Sequence, residues 1–453
     1  MRSALIAAVV LGVSLPAAAQ PMDTYGMGSR SVALAGAVSS DVEDGSANYY
    51  NPAGIVRDGR LHIQLGWFGA AHDMYLNEHS SAVDPAHGVL LGLNVPGRVD
   101  DFRFGFGLGV HLNDQRVSRS RTLPRARPRW ELYDNRPHRA YLSTHVAIQP
   151  IEWLRLGGGI AFLSYSANEL RIRGTLNAFQ PQRSSLEHEL SGELITIRYP
   201  QVGVQVGPLE GFDFGVTYRG EFALDNKLVA EVGTVDGDPV NATTIIAGGF
   251  DIPGYLFLLT QSVNAYVPHQ VSFSASWQPI RELRIGLELT WLMWSLYVSP
   301  IGTSRVDLRI EVPPELAGTI TVPDRIPDQN PEPARFQDRV VPRIGVEVTP
   351  YRSPELAFQA RAGYFYENSP APAQTTFTNL VDTDRHTWSL GFGVDLLGLR
   401  PLLPGFLSID AHVTYSWLPE RAMVKDSPID PVGDYVAWGH MVTGGLSLEA
   451  GFD

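Results

Sequence analysis

Few residues of this chain are spaced for covalent chemistry. Ser143 and His145 occupy alternate positions, so a strand would set both on one face, as a nucleophile and its base require. No carboxylate or Asn partner is evident to orient that imidazole, and the expected protein is not an enzyme. The 12 His are scattered without metal-ligand spacing, and with no Cys there is no thiol site, disulfide or lipoprotein anchor; neither metal nor cofactor is implied. Gly26-Met27-Gly28 has no strand before it and no complete GxGxxG after it, so it is not a nucleotide loop. A net charge of −13 argues against nucleic acid, which needs a basic footprint.

What remains is a scatter of charged residues that share a parity: Arg103, His111, His145, Arg284, Glu288, Glu347, Arg361, Asp395, Asp410, His412 and Glu449. Some could hold a substrate carboxylate, with Arg103 and Arg361 the best placed. Alternatively, they form a mutually neutralising network that fills an interior.

The elements that position these residues are strands of period two. Phe102, Phe104, Phe106, Leu108, Val110 and Leu112 fall on one face, with Arg103, Gly105, Gly107, Gly109 and His111 on the other. Leu283 to Met293, Ile344 to Val348, Trp388 to Leu396 and Leu407 to Val413 repeat the pattern. A soluble sandwich would turn its bulky apolar face inward. Here the polar face is rich in Gly and in charges of both signs, which suits a crowded wet lumen, while the apolar face suits lipid. Trp277, Trp291, Trp388, Tyr415 and Trp417 lie near strand ends on that apolar face, as interfacial girdles do.

The expected fold is all-β, a transmembrane antiparallel barrel of about fourteen strands. Their centres fall near Gln64, Leu91, Phe106, Thr144, Gly159, Val202, Gly215, Phe273, Leu287, Val346, Phe358, Phe392, Ile409 and Leu446. Tight turns are expected near Pro96, Pro150, Pro208, Pro279, Pro350 and Gly398. Long links are expected at Ala71–His87, Asn113–Pro137, Ala167–Glu193, Asn226–Pro268, Pro300–Arg339, Glu367–Arg385 and Pro419–Gly433. Short periplasmic turns alternating with long extracellular loops put both termini on the periplasmic side of a bacterial outer membrane. Arg2, the apolar run Ala4 to Val13 and Ala17-Ala18-Ala19 read as a cleaved leader. The expected division is a signal peptide at 1–19, a small N-terminal hatch at 20–58 and the barrel at 59–453.

The stretch Gly26 to Gly54 has small residues that could pack closely against walls, and it ends in the turn-forming Asn51-Pro52-Ala53-Gly54. Its Gly26-x-Gly28-Ser29-Arg30, Ala33-Leu34-Ala35-Gly36-Ala37 and Ser46-Ala47-x-Tyr49-x-Asn51-Pro52-Ala53-Gly54 elements resemble the FadL-type family of outer-membrane transporters for hydrophobic compounds. Pro268-His269-Gln270-Val271, Trp291-x-x-Trp294-Ser295, Arg343-Ile344-Gly345-Val346-Glu347, Arg361-Ala362-Gly363-Tyr364 with Ser369-Pro370, and Asp384-Arg385-His386 extend the likeness in order. The resemblance implies that the N-terminal segment plugs the barrel. It also implies that Asn51, Pro52, Ala53 and Gly54 lie at a gate beside a kinked third strand, here Asp101 to Leu112. Gly105, Gly107 and Gly109 would permit the bend that opens the wall sideways.

Two outer links carry further candidates. Ile252, Tyr255, Leu256, Phe257 and Leu258 form an apolar run suited to capturing a hydrophobic molecule or to packing across the barrel mouth. Arg116, Arg119, Arg121, Arg125, Arg127 and Arg129 could meet lipopolysaccharide phosphates or form a plain solvated loop. The function read from these observations is passive uptake of a hydrophobic small molecule, a fatty acid or hydrocarbon, by a monomer in contact with outer-membrane lipid. The alternative is a general porin or structural barrel.

Overall fold

The computed structural model describes residues 21–113, 127–134, 140–177, 182, 185–232, 243–247, 250–297, 303–310, 314, 325–329, 332–376, 378–399, 401 and 404–453. The leader lies outside the described residues. The wall is a closed antiparallel barrel of fourteen strands. In chain order they are β1 Leu61–Leu76, β2 Ala86–Val99, β3 Phe102–Asn113, β4 Tyr141–Ile151, β5 Leu154–Asn177, β6 Ser185–Leu209 and β7 Phe212–Arg219. They continue as β8 Gln270–Ile280, β9 Leu283–Leu292, β10 Arg339–Arg352, β11 Leu356–Glu367, β12 Arg385–Leu396, β13 Gly405–Met423 and β14 Tyr435–Phe452. β14 pairs back onto β1 from Leu61↔Phe452 to Leu76↔Ala437, which leaves the ring no edge. Every strand centre expected from the alternation lies inside one of these strands.

Burial is inverted relative to a soluble protein. Phe106, Trp388, Phe392 and Leu446 are exposed on the outside, whereas Gln64, Ser143, Thr290 and Glu449 are buried inside. An apolar belt of this extent requires hydrocarbon around it. No helix among the described residues is long and apolar enough to cross a membrane.

The turns fall a few residues beyond the expected prolines. Pro96, Pro150, Pro208, Pro279 and Pro350 all lie within strands. Pro150, Pro208, Pro279 and Pro350 sit at register shifts, between Ile148/Ile151, Val206/Leu209, Trp277/Ile280 and Val348/Tyr351. A bulge is where a residue without an N–H costs the ladder least.

Two expected loops are largely sheet, and a third contributes two strands. β5 and β6 pair without interruption to Thr175↔Ser185, through the whole of the Ala167–Glu193 link apart from its turn. Phe222–Val232 and Thr243–Ala247 run parallel to β5, and Phe250–Val267 joins them to Thr303–Ile310 and Arg325–Gln329. Polar side chains disguise these strands, but outside the bilayer the backbone needs only a pairing partner, and the period of two persists through Leu170 and Ile172.

Inside the ring lies the N-terminal segment, in short helical turns: α1 Pro21–Tyr25, α2 Ser29–Ala33, α3 Ala47–Tyr50 and a 3-10 turn Pro52–Val56. Ala33, Leu34, Val38, Val42, Ala47, Ile55 and Val56 are completely buried. At this length none of the helices is stable alone, so the wall holds them. Gly28, with φ 75°, supplies the left-handed turn that starts α2.

Candidate functional site

The segment fits because inward glycines make room for it. A Cβ at Gly157 would lie 2.3 Å from the Pro52 carbonyl carbon, one at Gly203 2.0 Å from Asn51 Oδ1, and one at Gly345 2.5 Å from the Leu34 carbonyl oxygen. Asn51 accepts from Ala53 N (3.1 Å), capping the 3-10 turn, and its amide donates to Ser39 O (2.7 Å) and to Val204 O of β6 (3.0 Å). The Asn-Pro-Ala element therefore rests on β5 and β6. The neighbours of the third strand are instead Asn48, Ile55 and Val56, packed over Gly105 and Gly107. β3 shows no bulge: it pairs in unbroken register from Gly88↔Asn113 to Val99↔Phe102 on one edge and from Arg103↔Gln149 to His111↔Tyr141 on the other. Its glycines serve close approach, and the wall is shut there.

Charges tie the segment to the wall. Glu347 of β10 takes both Nε and Nη2 of Arg30 (3.0 Å each), and also Arg361 Nε (2.6 Å), whose Nη1 donates to Asp410 (2.5 Å). Asp41 is bound by Arg284, and His62 lies between Asp58 (2.8 Å) and Glu449 (2.5 Å). Burial pushes the Asp41 carboxyl up, but Arg284 outweighs it and holds the group below the usual carboxylate range. Of the two readings of the lumen charges, the geometry supports the bracing network.

Two cavities flank the segment. The outer one, at the outer ends of the strands, has a mixed lining: Tyr25, Tyr50, Leu132, Phe365 and Met441 stand beside Asp23, Glu288, Glu367 and several arginines. The inner one is lined mainly by charged residues, among them Arg30, Asp44, Glu347, Arg361 and Asp410. Arg361, expected to meet a carboxylate, lines this inner cavity and is already engaged by Glu347 and Asp410. Arg103 lines a third hollow near Gly59 and Pro96, remote from the outer cavity. Four guanidiniums line the outer cavity: Arg339 and Arg385 are paired with Glu367, Arg343 donates to Ala35 O, and the fourth is Arg219. It stands 4.3 Å over the Tyr49 ring and is buried, yet its Nη1 has no hydrogen-bond partner. Its position was legible, because Asp213, Gly215, Thr217 and Arg219 continue the inward parity of β7.

The apolar run at Ile252–Leu258 lies within the strand Phe250–Val267 and is not a loop. Arg116, Arg119, Arg121 and Arg125 lie outside the described residues; Arg127 is exposed, and Arg129 is buried and ion-paired with Glu131 at 3.1 Å. Ser143 Oγ donates to Gly109 O (3.5 Å) and His145 Nδ1 contacts Asn48 Oδ1 (3.3 Å), so the two do not face each other as nucleophile and base. Among the described residues no group of three or more His, Asp and Glu could hold a metal ion.

A closed barrel plugged by its own N-terminal chain is the architecture to set beside known proteins. The model of the outer membrane protein transport protein family (OMPP1/FadL/TodX) matches residues 8–434. The chain belongs to this family. It is therefore a multi-pass outer-membrane β-barrel. Alkane uptake protein A of Marinobacter nauticus is 23% identical over 99% of this chain and 96% of its own. Among solved structures, a Pseudomonas aeruginosa FadL homologue shares the fold at a TM-score of 0.54, with 16% identity over 97% of this chain and 99% of its own. The P. putida toluene transporter TodX does so at 0.52, with 15% identity over 94% and 99%.

Proposed function

We propose that this barrel imports hydrophobic small molecules by passive transfer, and that its preferred substrates are chains ending in a carboxylate, of the long-chain fatty acid class. The observation that carries this reading is the outer cavity. Its Tyr, Phe, Leu and Met side chains offer burial at roughly 0.8 kcal/mol per CH₂, and among the charged groups that share the lining Arg219 offers an Nη1 donor with no hydrogen-bond partner to a terminal oxygen. The apolar run Ile252, Tyr255, Leu256, Phe257 and Leu258 on the outer sheet would make first contact.

Exit is sideways. Directly below the segment the solute would meet a cavity crowded with Arg30, Glu347, Arg361 and Asp410, whose ionic lining an alkyl chain cannot solvate. The inward face of β3 instead carries Gly105, Gly107 and Gly109, so withdrawal of the overlying segment, hinged at Asn51-Pro52-Ala53-Gly54, exposes bare backbone as a window to lipid. Relatives named for alkane and toluene transport make a hydrocarbon the second reading. Native mass spectrometry of the purified barrel, followed by uptake of labelled oleate and hexadecane into cells expressing it, tests the assignment. Oleate binding and uptake that fall in Arg219→Met support the carboxylate class, and equal hexadecane uptake in both proteins supports it further. Steady ion and sugar conductance in planar bilayers, with no hydrophobic uptake, would establish the porin alternative.

A further inference from the structure

The proposed window needs something to hold it shut, and the register shows what does. Asn94 of β2, Gly107 of β3 and His145 of β4 stand directly opposite one another in a single row across the wall. Above that row lies Asn48 of the N-terminal segment. Its Nδ2 donates to Asn94 Oδ1 (2.8 Å), and to the Leu93 (3.3 Å) and Gly45 (3.1 Å) carbonyls. Its Oδ1 accepts from His145 Nδ1 (3.3 Å). Asn94 Nδ2 in turn donates to the Glu43 and Asp44 carbonyls, at 3.1 and 2.8 Å. The space under Asn48 exists because Gly107 has no side chain: a Cβ there would lie 2.2 Å from Asn48 Oδ1.

We propose that Asn48 is the latch of the lateral gate, a single carboxamide that ties β2 to β4 across the face of β3. The inference rests on the lateral route proposed above and adds to it the residue that controls it. Asn51 cannot have this role, because its amide is spent on Ser39 and β6. Asn48 and Ile55 act in place of the side chains that β3 lacks. With both withdrawn, Gly107 presents only backbone, and the inner cover of β3 is reduced to Val56 over Gly105 and to Met27 and Ser143 beside Gly109. Asn94 and His145 are positioning residues: they hold the carboxamide in the plane where it meets both neighbouring strands at once.

The chain has no Cys, which makes the test direct. Full-length protein in lipid nanodiscs is compared by hydrogen exchange at 103–111, with 285–291 as the control strand. In Asn48→Ala, exchange at 103–111 rises about tenfold, the equivalent of losing one buried hydrogen bond, and the control strand is unchanged. Asn94→Ala gives the same rise, and combining the two adds nothing. A second variant, Asn48→Cys with Asn94→Cys, keeps the test decisive if the alanine proteins accumulate poorly. Its oxidised form shows low exchange at 103–111 and no uptake of labelled oleate, and reduction restores both. Unaltered exchange at 103–111 in Asn48→Ala overturns the latch whatever uptake does. Loosened exchange in Asn48→Ala, with full uptake through the oxidised Cys pair, overturns the lateral route and leaves Asn48 a structural clamp.

Discussion

Glu347→Gln is the sharpest perturbation of the brace between plug and wall. The native carboxylate takes two hydrogen bonds from Arg30 at 3.0 Å and one from Arg361 at 2.6 Å. Arg361 retains Asp410 in the variant, but Arg30 has no other carboxylate partner among the described residues. Deprotonation offers no escape. Burial works against the Arg30 charge, yet the adjacent Glu347 outweighs it and leaves the guanidinium more firmly protonated than usual. Breaking a fully buried pair costs ~3–5 kcal/mol. These side chains keep 21% and 14% exposure and border a cavity, so solvent screening reduces the figure to about 2 kcal/mol. That is roughly a thirty-fold shift in the local opening equilibrium, confined to the segment because the barrel ladders do not involve Arg30. Hydrogen exchange at 29–41 should rise by that factor while 407–413 stays constant. Adding Arg30→Gln should recover most of the loss, since the orphaned charge is then removed. Unchanged exchange at 29–41, or a double variant no better than the single one, would refute the assignment of this ion chain as the brace.

Other outcomes follow from the same geometry. Gly203→Val, whose Cβ would stand 2.0 Å from Asn51 Oδ1, should displace the Asn-Pro-Ala turn and raise protease cleavage near residue 51, whereas Gly158→Ala, with nothing nearer than 3.4 Å, should behave as wild type. Met441→Trp should fill part of the outer cavity and reduce the number of ligand molecules retained in native mass spectra, with an unaltered melting temperature. Asp382, buried in the outer link between β11 and β12, has its carboxyl pushed up to about 6 by burial. A raised acid favours the folded state when protonated, so the outer cap should be firmest near pH 4 and lose roughly 3 kcal/mol as pH climbs to about 6, then level off. Asp382→Asn should abolish that slope in exchange measured at 378–384.

The wall was legible because the bilayer imposes one rule on every strand: apolar outside, anything tolerated inside. Leu283 to Met293 shows it plainly. The outer sheet was hidden because beyond the membrane that rule lapses, and Glu169, Arg171 and Arg173 look like loop although their backbone is fully paired. Prolines misled for a related reason. Turn chemistry and bulge chemistry both favour a residue without an N–H, and only the register separates them. Among the site residues, Arg219 was readable from parity, but its cavity was not, since that depends on where the N-terminal segment lies. The displacement of the Asn-Pro-Ala turn from β3 to β5 and β6 likewise needed three-dimensional contacts between residues far apart in sequence.

The glycine count and the plug are one fact seen from two sides. A barrel of this circumference has more interior than its own side chains fill, and here the missing volume is supplied by residues 21–58. Many of the inward glycines mark where that chain touches backbone, as Gly45 does against Gly92 and Ala37 against Gly286. Such packing is close but forms few covalent-like constraints, so the segment is held mainly by discrete polar ties: Arg30 to Glu347, Asp41 to Arg284, Asn51 to Val204 and Asn48 to Asn94. A plug fixed by a handful of separable ties over a smooth glycine floor can shift locally without unfolding the barrel. The ionic ties lie toward the periplasmic end and the amide ties lie against the wall, so loosening the amides alone frees the side of the segment facing β3 while the brace stays anchored. On the lateral route proposed above, that asymmetry would direct a hydrophobic solute sideways and keep water and ions from following it down.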